Sequence, residues 1–448
     1  MMDDYSAPAR SLSAGKTHVP PARIAPPSRS KPTGRGGAVL RKLASLAAVA
    51  AAIAIILGHL VLPNGLVIPL YGVLVIGYVT GKIVLAEIYR LRSARRPSSD
   101  TTGLSIDTAI AFYNEDPDLL EAAIHSVLAQ RNVRLGQVIA VDDGSTSIAT
   151  FAHVKGVFAD DPRVVLIRNE QQVGKRHALG VAFDRLTAPY TALLDSDTVL
   201  DPRALSQLLG AMDSGTAAVT ANIRALNRDV NWLTRIIDAR YRNAFMVERA
   251  AQSVMGSALC ASGVLSVYRS GFLRDVKDEW MEQRFLGQTV HFGDDRRLTA
   301  LALQRGKVVI ALDAVASTQV PTSPVQFMKQ QLRWNKSFLR ESVLAVRDFG
   351  VLSFPGLFSF AELFFWFFYL STMANMLIFD PVVGTWSILA IWLAYVLAAG
   401  LFRNVTLILR EPRLILLAPL YSLAHLLILT PLRVVALLTI WDNRWGTR

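Results

Sequence analysis

The chain has 448 residues, 52% of them hydrophobic and only 18% charged, with a mean hydropathy of +0.34, which excludes an ordinary soluble protein. Of the formal charge of +12, about half precedes the first apolar run, in Arg10, Lys16, Arg23, Arg29, Lys31, Arg35, Arg41 and Lys42 against Asp3 and Asp4. Because this charge flanks hydrophobic segments, a lipid bilayer explains it better than nucleic acid does. The single cysteine, Cys260, excludes an intrachain disulfide and fits a reducing compartment.

Residues 1–38, rich in Pro, Ser, Ala and Arg without an apolar period, read as a disordered basic tail. The apolar runs 43–62 and 65–88 are each long enough to cross a bilayer at about 1.5 Å per residue. Joined at Pro63-Asn64, they predict a helical hairpin within 39–97 rather than a signal peptide. Arg41 and Lys42 before it, and Arg90, Arg92, Arg95 and Arg96 after it, put both ends in the cytoplasm. Residues 98–322 have the composition of a soluble domain. Runs 356–379 and 384–402 predict a second hairpin within 351–403. The last run, 413–441, lies in a segment, 404–448, that reads as interfacial or transmembrane helices, with a break expected at Pro431.

Within 98–322, short apolar strands at 107–115, 136–145, 163–169 and 190–200 alternate with helical stretches. This predicts a mostly parallel α/β sheet. Ligands bind such sheets at the carboxyl ends of strands, where Asn114, Glu115, Asp142, Asp143, Asp195 and Asp197 fall. Any one of them alone is more simply a turn former. In "DSDT", however, the i,i+2 spacing puts Asp195 and Asp197 on one side of an extended chain. Hard oxygen ligands so placed suit Mg²⁺ or Mn²⁺ bridging a diphosphate. "GDDRRLT", 293–299, is a third acidic cluster, and acids favouring a helix N-terminus explain it equally well.

The stretch "KQQLRWNKSFLRE", Lys329 to Glu341, precedes the second apolar region. On a helix, Lys329, Arg333, Lys336 and Arg340 form one stripe, with Met328, Leu332 and Leu339 in another. That pattern predicts an amphipathic interfacial helix over 323–350 with basic headgroup contacts and an aliphatic side toward lipid. Gln330, Arg333 and Trp334 share a further face.

In order, "YNED", "VDDGS", "GKRHA", "DSDT", "SGVLSVYR", "GDDRRLT" and "QQLRW" resemble the processive membrane glycosyltransferases of family 2, and hyaluronan synthases of the bacterial type above all. The resemblance implies a GT-A-type α/β catalytic domain held between transmembrane hairpins of a multi-pass plasma-membrane protein, with the domain cytoplasmic. It implies UDP-sugar donors, UDP-GlcNAc and UDP-GlcA, polymerised into a β-linked polysaccharide that is exported. Chitin or chitooligosaccharide synthesis from one sugar is the alternative. A non-processive lipid glycosyltransferase fits "QxxRW" less well. By the same resemblance, Asp143 or Asp142 holds the uracil, Lys175 lies near the nucleotide, and Asp197 with Asp195 coordinates Mg²⁺ or Mn²⁺. Asp295 is the general base, and Gln330, Arg333 and Trp334 meet the acceptor and diphosphate. Cys260, Ser262 and Gly263 belong to the loop along the acceptor path, with packing the first role of Cys260. The tail Trp445, Gly446, Thr447 and Arg448 gates the UDP site, which requires a cytosolic C-terminus and favours an interfacial or re-entrant course for 413–441. The chain departs from these relatives at Val264, where they usually have Pro, and at Arg297, where they often have His. Oligomeric state is not legible.

Overall fold

The computed structural model describes residues 35–61, 64–96, 99–383 and 386–442. Two long helices, α1 (Arg35–Val61) and α2 (Asn64–Ala94), form the expected N-terminal pair. The catalytic domain begins with strands β1 (Ser105–Phe112), β2 (Arg134–Asp142), β3 (Val164–Arg168) and β4 (Tyr190–Asp195). Helices α3 (Pro117–Leu128), α4 (Ala149–Val157) and α5 (Lys175–Phe183) connect them. Asp116 caps α3, its carboxylate accepting from the Asp118 and Leu119 amides, with Pro117 at the first helical position.

The second half holds β5 (Thr198–Leu200), α6 (Ala204–Gly210), β6 (Thr216–Ala225) and α7 (Trp232–Asn243). A π-helical turn, Ala244–Arg249, joins α7 to α8 (Ala250–Ser253), before β7 (Leu265–Arg269) and α9 (Ser270–Met281). After a small hairpin of β8 (Arg284–Phe285) and β9 (Gln288–Thr289) come α10 (Asp294–Leu303) and β10 (Lys307–Thr318).

The sheet order is β3-β2-β1-β4-β7-β6-β10-β5. It is more mixed than expected: β4–β7, β6–β7 and β5–β10 pair antiparallel. The expected strand 190–200 is also two strands. β4 and β5 lie four places apart in the sheet order, about 19 Å on a flat sheet with strands about 4.8 Å apart. Only Ser196 and Asp197 join them, a reach of about 11 Å. The sheet must therefore curl into a half-barrel, and the Asp195–Asp197 turn bridges its mouth.

The C-terminal part consists of α11 (Pro324–Phe349), α12 (Phe354–Val383), α13 (Trp386–Arg403) and the short α14 (Val405–Ile408). A 3₁₀ turn, Pro412–Ile415, then leads through α15 (Leu417–Ala424) and a π turn, His425–Leu429, to α16 (Thr430–Leu438). Among the described residues, Leu70–Ala94, Phe354–Asn375 and Pro412–Leu438 are long and apolar enough to cross a membrane, and Lys42–Gly58 is a shorter apolar helix. The expected break at Pro431 does not occur. The π turn ends at Leu429, so Pro431 falls in the first turn of α16, where a missing N–H costs little. Thr430 Oγ1 donates to the His425 carbonyl at 2.9 Å.

The headgroup contacts expected of Lys336 and Arg340 are not made either, because both are buried. Lys336 Nζ donates to the Asp442 carbonyl at 3.1 Å. Arg340 donates to the Phe292 carbonyl at 2.6 Å and lies over the Phe292 ring. On the aliphatic side, Leu332 and Leu339 pack with Trp366 of α12 and Ala436 of α16 instead of lipid. The helix is thus a wedge between the catalytic domain and the apolar helices.

Asp107 ties the sheet together. Wholly buried, it accepts from the Gln137 amide at 2.8 Å, the Thr187 amide at 2.6 Å and the Ala188 amide at 2.8 Å. Asp107→Ala strands three amide donors, one of them buried and two partly so, and should cost about 2–4 kcal/mol. Thermal unfolding of the purified protein reads this, and Asp107→Asn, which keeps an acceptor oxygen, should lose less. Wild-type melting of the alanine variant would contradict the assignment.

Candidate active site

The carboxylates at the sheet's mouth divide into two sets. Asp142 is wholly buried, ion-paired to Arg168 Nη1 at 2.9 Å and accepting from the Ser145 amide at 2.8 Å. It does not line the cavity. Asp143 does, and its carboxylate accepts from the Gly174 and Val173 amides at 2.8 and 3.1 Å, at the start of α5. Of the two, Asp143 alone lines the cavity. In "GDD" both carboxylates line the cavity, and they differ in their partners. Asp294 is ion-paired to the buried Arg176, and its carbonyl accepts from Trp280 Nε1 at 2.9 Å. Asp295 faces the cavity.

Asp195 and Asp197 both line the cavity, Asp195 as the last residue of β4 and Asp197 on the turn that follows it, not along one extended strand. Between them, Ser196 Oγ donates to Glu115 Oε2 at 2.6 Å, pinning the turn to the end of β1. Asp197 Oδ1 accepts from Thr318 Oγ1 at 2.9 Å, where β5 meets β10. Lys175 Nζ is ion-paired to Asp195. Burial opposes the lysine's charge, but Asp195 outweighs it and holds the pKa above the ordinary value.

Gly263 is the point where these groups converge. A Cβ there would lie 3.6 Å from Lys175 Nζ, 3.7 Å from Asp195 Oδ1 and 3.9 Å from Asp295 Cβ. Any side chain would intrude on the space these charges share. Ser262 fixes the same loop, its amide donating to Thr220 Oγ1 at 3.0 Å and its carbonyl accepting from Ser266 Oγ at 2.7 Å. Cys260 Sγ donates to Asp295 Oδ2 at 3.2 Å. Burial pushes the thiol up to about 12, with the Asp295 charge adding to it. The other carboxylate oxygen of Asp295, Oδ1, accepts from the Arg296 amide at 2.8 Å, in the first turn of α10.

Gln330, Arg333 and Trp334 of α11 face the same cavity. The Trp334 ring lies 6.2 Å from Tyr241 and under the Arg240 guanidinium, 5.8 Å away. This makes an aromatic wall opposite the carboxylates, a surface suited to sugar faces. Trp445, Gly446, Thr447 and Arg448 lie outside the described residues.

The cavity has a volume of about 1430 Å³ and does not end at the catalytic domain. It continues between the apolar helices, past Tyr71 and Tyr78 of α2, Phe365 of α12, Gly400 of α13 and Tyr421 of α15. Sequence reasoning passed over Glu115 and Arg296 as site residues, and Thr318, Tyr241 and Arg240 altogether. Glu115 stood at a strand end and Arg296 within "GDDRRLT", where a surface ion pair was one reading, so both were legible in kind. The others carried no local motif, since only the sheet's curl and the seating of α11 bring them in.

A family model described as glycosyltransferase like family 2 matches residues 106–337. The chain is 36% identical over 386 residues to hyaluronan synthase from Streptococcus pyogenes, covering 85% of this chain and 90% of that protein. It is 33% identical over 381 residues to an N-acetylglucosaminyltransferase from Azorhizobium caulinodans, covering 82% and 96%. A mannosyltransferase from Pyrobaculum calidifontis, solved with GDP-Man and Mn²⁺, shares the fold with a TM-score of 0.58 at 18% identity, over 84% of this chain and 99% of that one. The chain belongs to glycosyltransferase family 2, and its catalytic domain has the expected GT-A-type fold.

The Cys260–Asp295 contact can be read without turnover. Thiolate is the alkylated form, so at pH 8 iodoacetamide should label Cys260 at least about 100-fold more slowly than an ordinary thiol of pKa about 8.5. The rate should still be climbing at pH 10. Asp295→Asn removes the negative charge facing the sulfur, lowers the thiol pKa and should speed labelling at fixed pH. An unchanged rate would contradict the contact.

Proposed function

We propose that this family 2 glycosyltransferase is a processive, inverting hyaluronan synthase, which joins UDP-GlcNAc and UDP-GlcA into a β-linked polymer and passes it across the plasma membrane. The observation that carries the reading is one continuous cavity. It holds the carboxylates, Lys175 and Trp334 at one end and runs between apolar helices at the other. The extended similarity to the streptococcal hyaluronan synthase supports the choice of product.

On this reading Asp143 holds the uracil at the start of α5, and Lys175 meets the nucleotide. Asp195 and Asp197 offer hard oxygen donors at the cavity floor and fit Mg²⁺ or Mn²⁺. Such an ion, when bound, supplies positive charge to the diphosphate as it leaves. Arg333 adds charge of the same sign from α11. Asp295 takes the proton from the acceptor hydroxyl as oxygen attacks the anomeric carbon from the face opposite UDP, so the configuration inverts. Asp294 is tied to Arg176, which leaves one carboxylate of the pair for this role. Gln330 and Trp334 position the acceptor, with Cys260, Ser262 and Gly263 closing its path. The tail from Trp445 to Arg448 gates the donor site.

Purified protein should be given Mg²⁺ or Mn²⁺ with each donor alone and then with both. Hyaluronidase-sensitive polymer forming only with both supports the proposal. Long polymer from UDP-GlcNAc alone would replace it with the chitin-type reading, to which the Azorhizobium relative is the guide. Asp295→Asn should lower turnover by about 10²- to 10⁴-fold while UDP binding is unchanged. Wild-type turnover in that variant would remove Asp295 as the base.

A further inference from the structure

Where the cavity passes from the catalytic domain into the apolar helices, three distant parts of the chain bring charges together. Lys82 comes from α2, Glu248 from the π turn after α7, and Arg403 from the end of α13, and all three line the cavity. Lys82 Nζ lies 3.9 Å from Glu248 Oε1, and Arg403 Nη2 is ion-paired to that same oxygen. Lys82 also sits 4.3 Å from the centre of the Tyr78 ring. Burial opposes the charge of Glu248, but Lys82 and Arg403 outweigh it and hold its pKa well below the usual carboxylate range. The carboxylate is therefore ionised at any working pH. Arg249 and Glu362 also line the cavity, Arg249 donating to the Cys260 carbonyl and Glu362 accepting from Gln252, and their opposite charges add nothing net to the trio.

A tie between helices needs one cation for one carboxylate. Here two cations converge on a single oxygen, so the trio keeps a net positive charge on the cavity wall, with Lys82 and Glu248 mostly shielded and Arg403 about half exposed. Partly desolvated charge of that kind attracts a counter-ion. A neutral glycan presents only hydroxyl dipoles to it, whereas a uronic acid presents the same chemical group as the glutamate already there. A uronate bound beside Glu248 brings the trio to neutrality, with two carboxylates against two cations.

We propose that Lys82 and Arg403 form a carboxylate subsite beyond the transfer site, which receives uronate groups of the product chain, with Glu248 offsetting one of the two positive charges between successive uronates. The inference rests on the reading that the product contains uronate. It predicts that the chain is held by its charge at every second sugar, and that Glu248 sets how easily it moves on.

The test uses the full-length protein in detergent with two ligands, a hyaluronan decasaccharide and the same oligosaccharide with its carboxyl groups reduced to alcohols. The wild type should bind the charged form about tenfold more tightly, the scale of one charge-assisted contact. Lys82→Gln and Arg403→Gln should each lose most of that preference, with Arg403→Lys recovering part of it. Glu248→Gln should tighten binding of the charged form several-fold and leave the reduced form unchanged. Equal affinity of the wild type for both ligands would overturn the proposal. So would variants that weaken both ligands alike, as a merely structural tie predicts. Donor use by the wild type separates the two readings. Neutral polymer from UDP-GlcNAc alone defeats the hyaluronan assignment, while loss of the carboxylate preference on Lys82→Gln still supports the subsite.

Discussion

The transfer site depends on how closely α11 approaches the turn before α10. Gly293 has φ +88°, a conformation that suits glycine, and a Cβ there would overlap Ser337 Oγ. With no side chain in the way, Arg340 reaches the Phe292 carbonyl and the face of its ring. That contact has two consequences. It fixes the first turn of α10, and with it Asp295. It also sets the rotation of α11 so that Gln330, Arg333 and Trp334, two to three turns earlier, look into the cavity. Because α11 packs on α12 and α16 through Leu339, Trp366 and Ala436, the apolar helices and the turn that carries Asp295 share one rigid wedge.

Charge is the second constraint. Several carboxylates sit in or near one cavity, and ionised groups out of water are costly without partners. The fold meets this by giving one member of each acidic pair to structure. Asp142 goes to Arg168 and Asp294 to Arg176, while their neighbours Asp143 and Asp295 turn toward the cavity. The spent members are not idle, since each locks the backbone that aims its neighbour. Asp195 differs, because its cation, Lys175, also lines the cavity. That pair can be rearranged by a ligand, whereas the buried ones cannot.

Much of this was legible beforehand. The short apolar runs alternating with helical stretches, and the acidic residues at their ends, pointed to the first four strands and their carboxyl ends. The motif order gave Asp143, Lys175, Asp195, Asp197 and Asp295, all of which line the cavity. What failed depended on long-range geometry. Residues 190–200 look like one strand because nothing local marks the turn, and only pairing with Thr318 and Ala316 pulls β5 across to the far edge. Likewise the stripe Lys329, Arg333, Lys336, Arg340 is as amphipathic as a lipid-surface helix. A helical wheel reports which residues share a side, but not whether Phe292 or a headgroup awaits Arg340 there.

The two π turns show why the cavity itself was invisible in the sequence. Ala244–Arg249 lies in the rod that leads from α7 into α8, and His425–Leu429 in the one that joins α15 to α16. Both carry residues that line the cavity, among them Phe245, Glu248 and His425. A π turn inserts one residue into the helical register, so side chains beyond it are rotated by about a quarter turn from where a 3.6-residue period would put them. An apolar stripe can therefore face neighbouring helices on one side of the turn while polar residues face the cavity on the other, in a helix that never breaks. Pro431 is tolerated for the same reason, since the register changes just before it. Continuous helices that change their facing side part-way give the cavity a polar wall at the catalytic end and an aromatic one between the apolar helices. No single helical period read along the sequence could have described both.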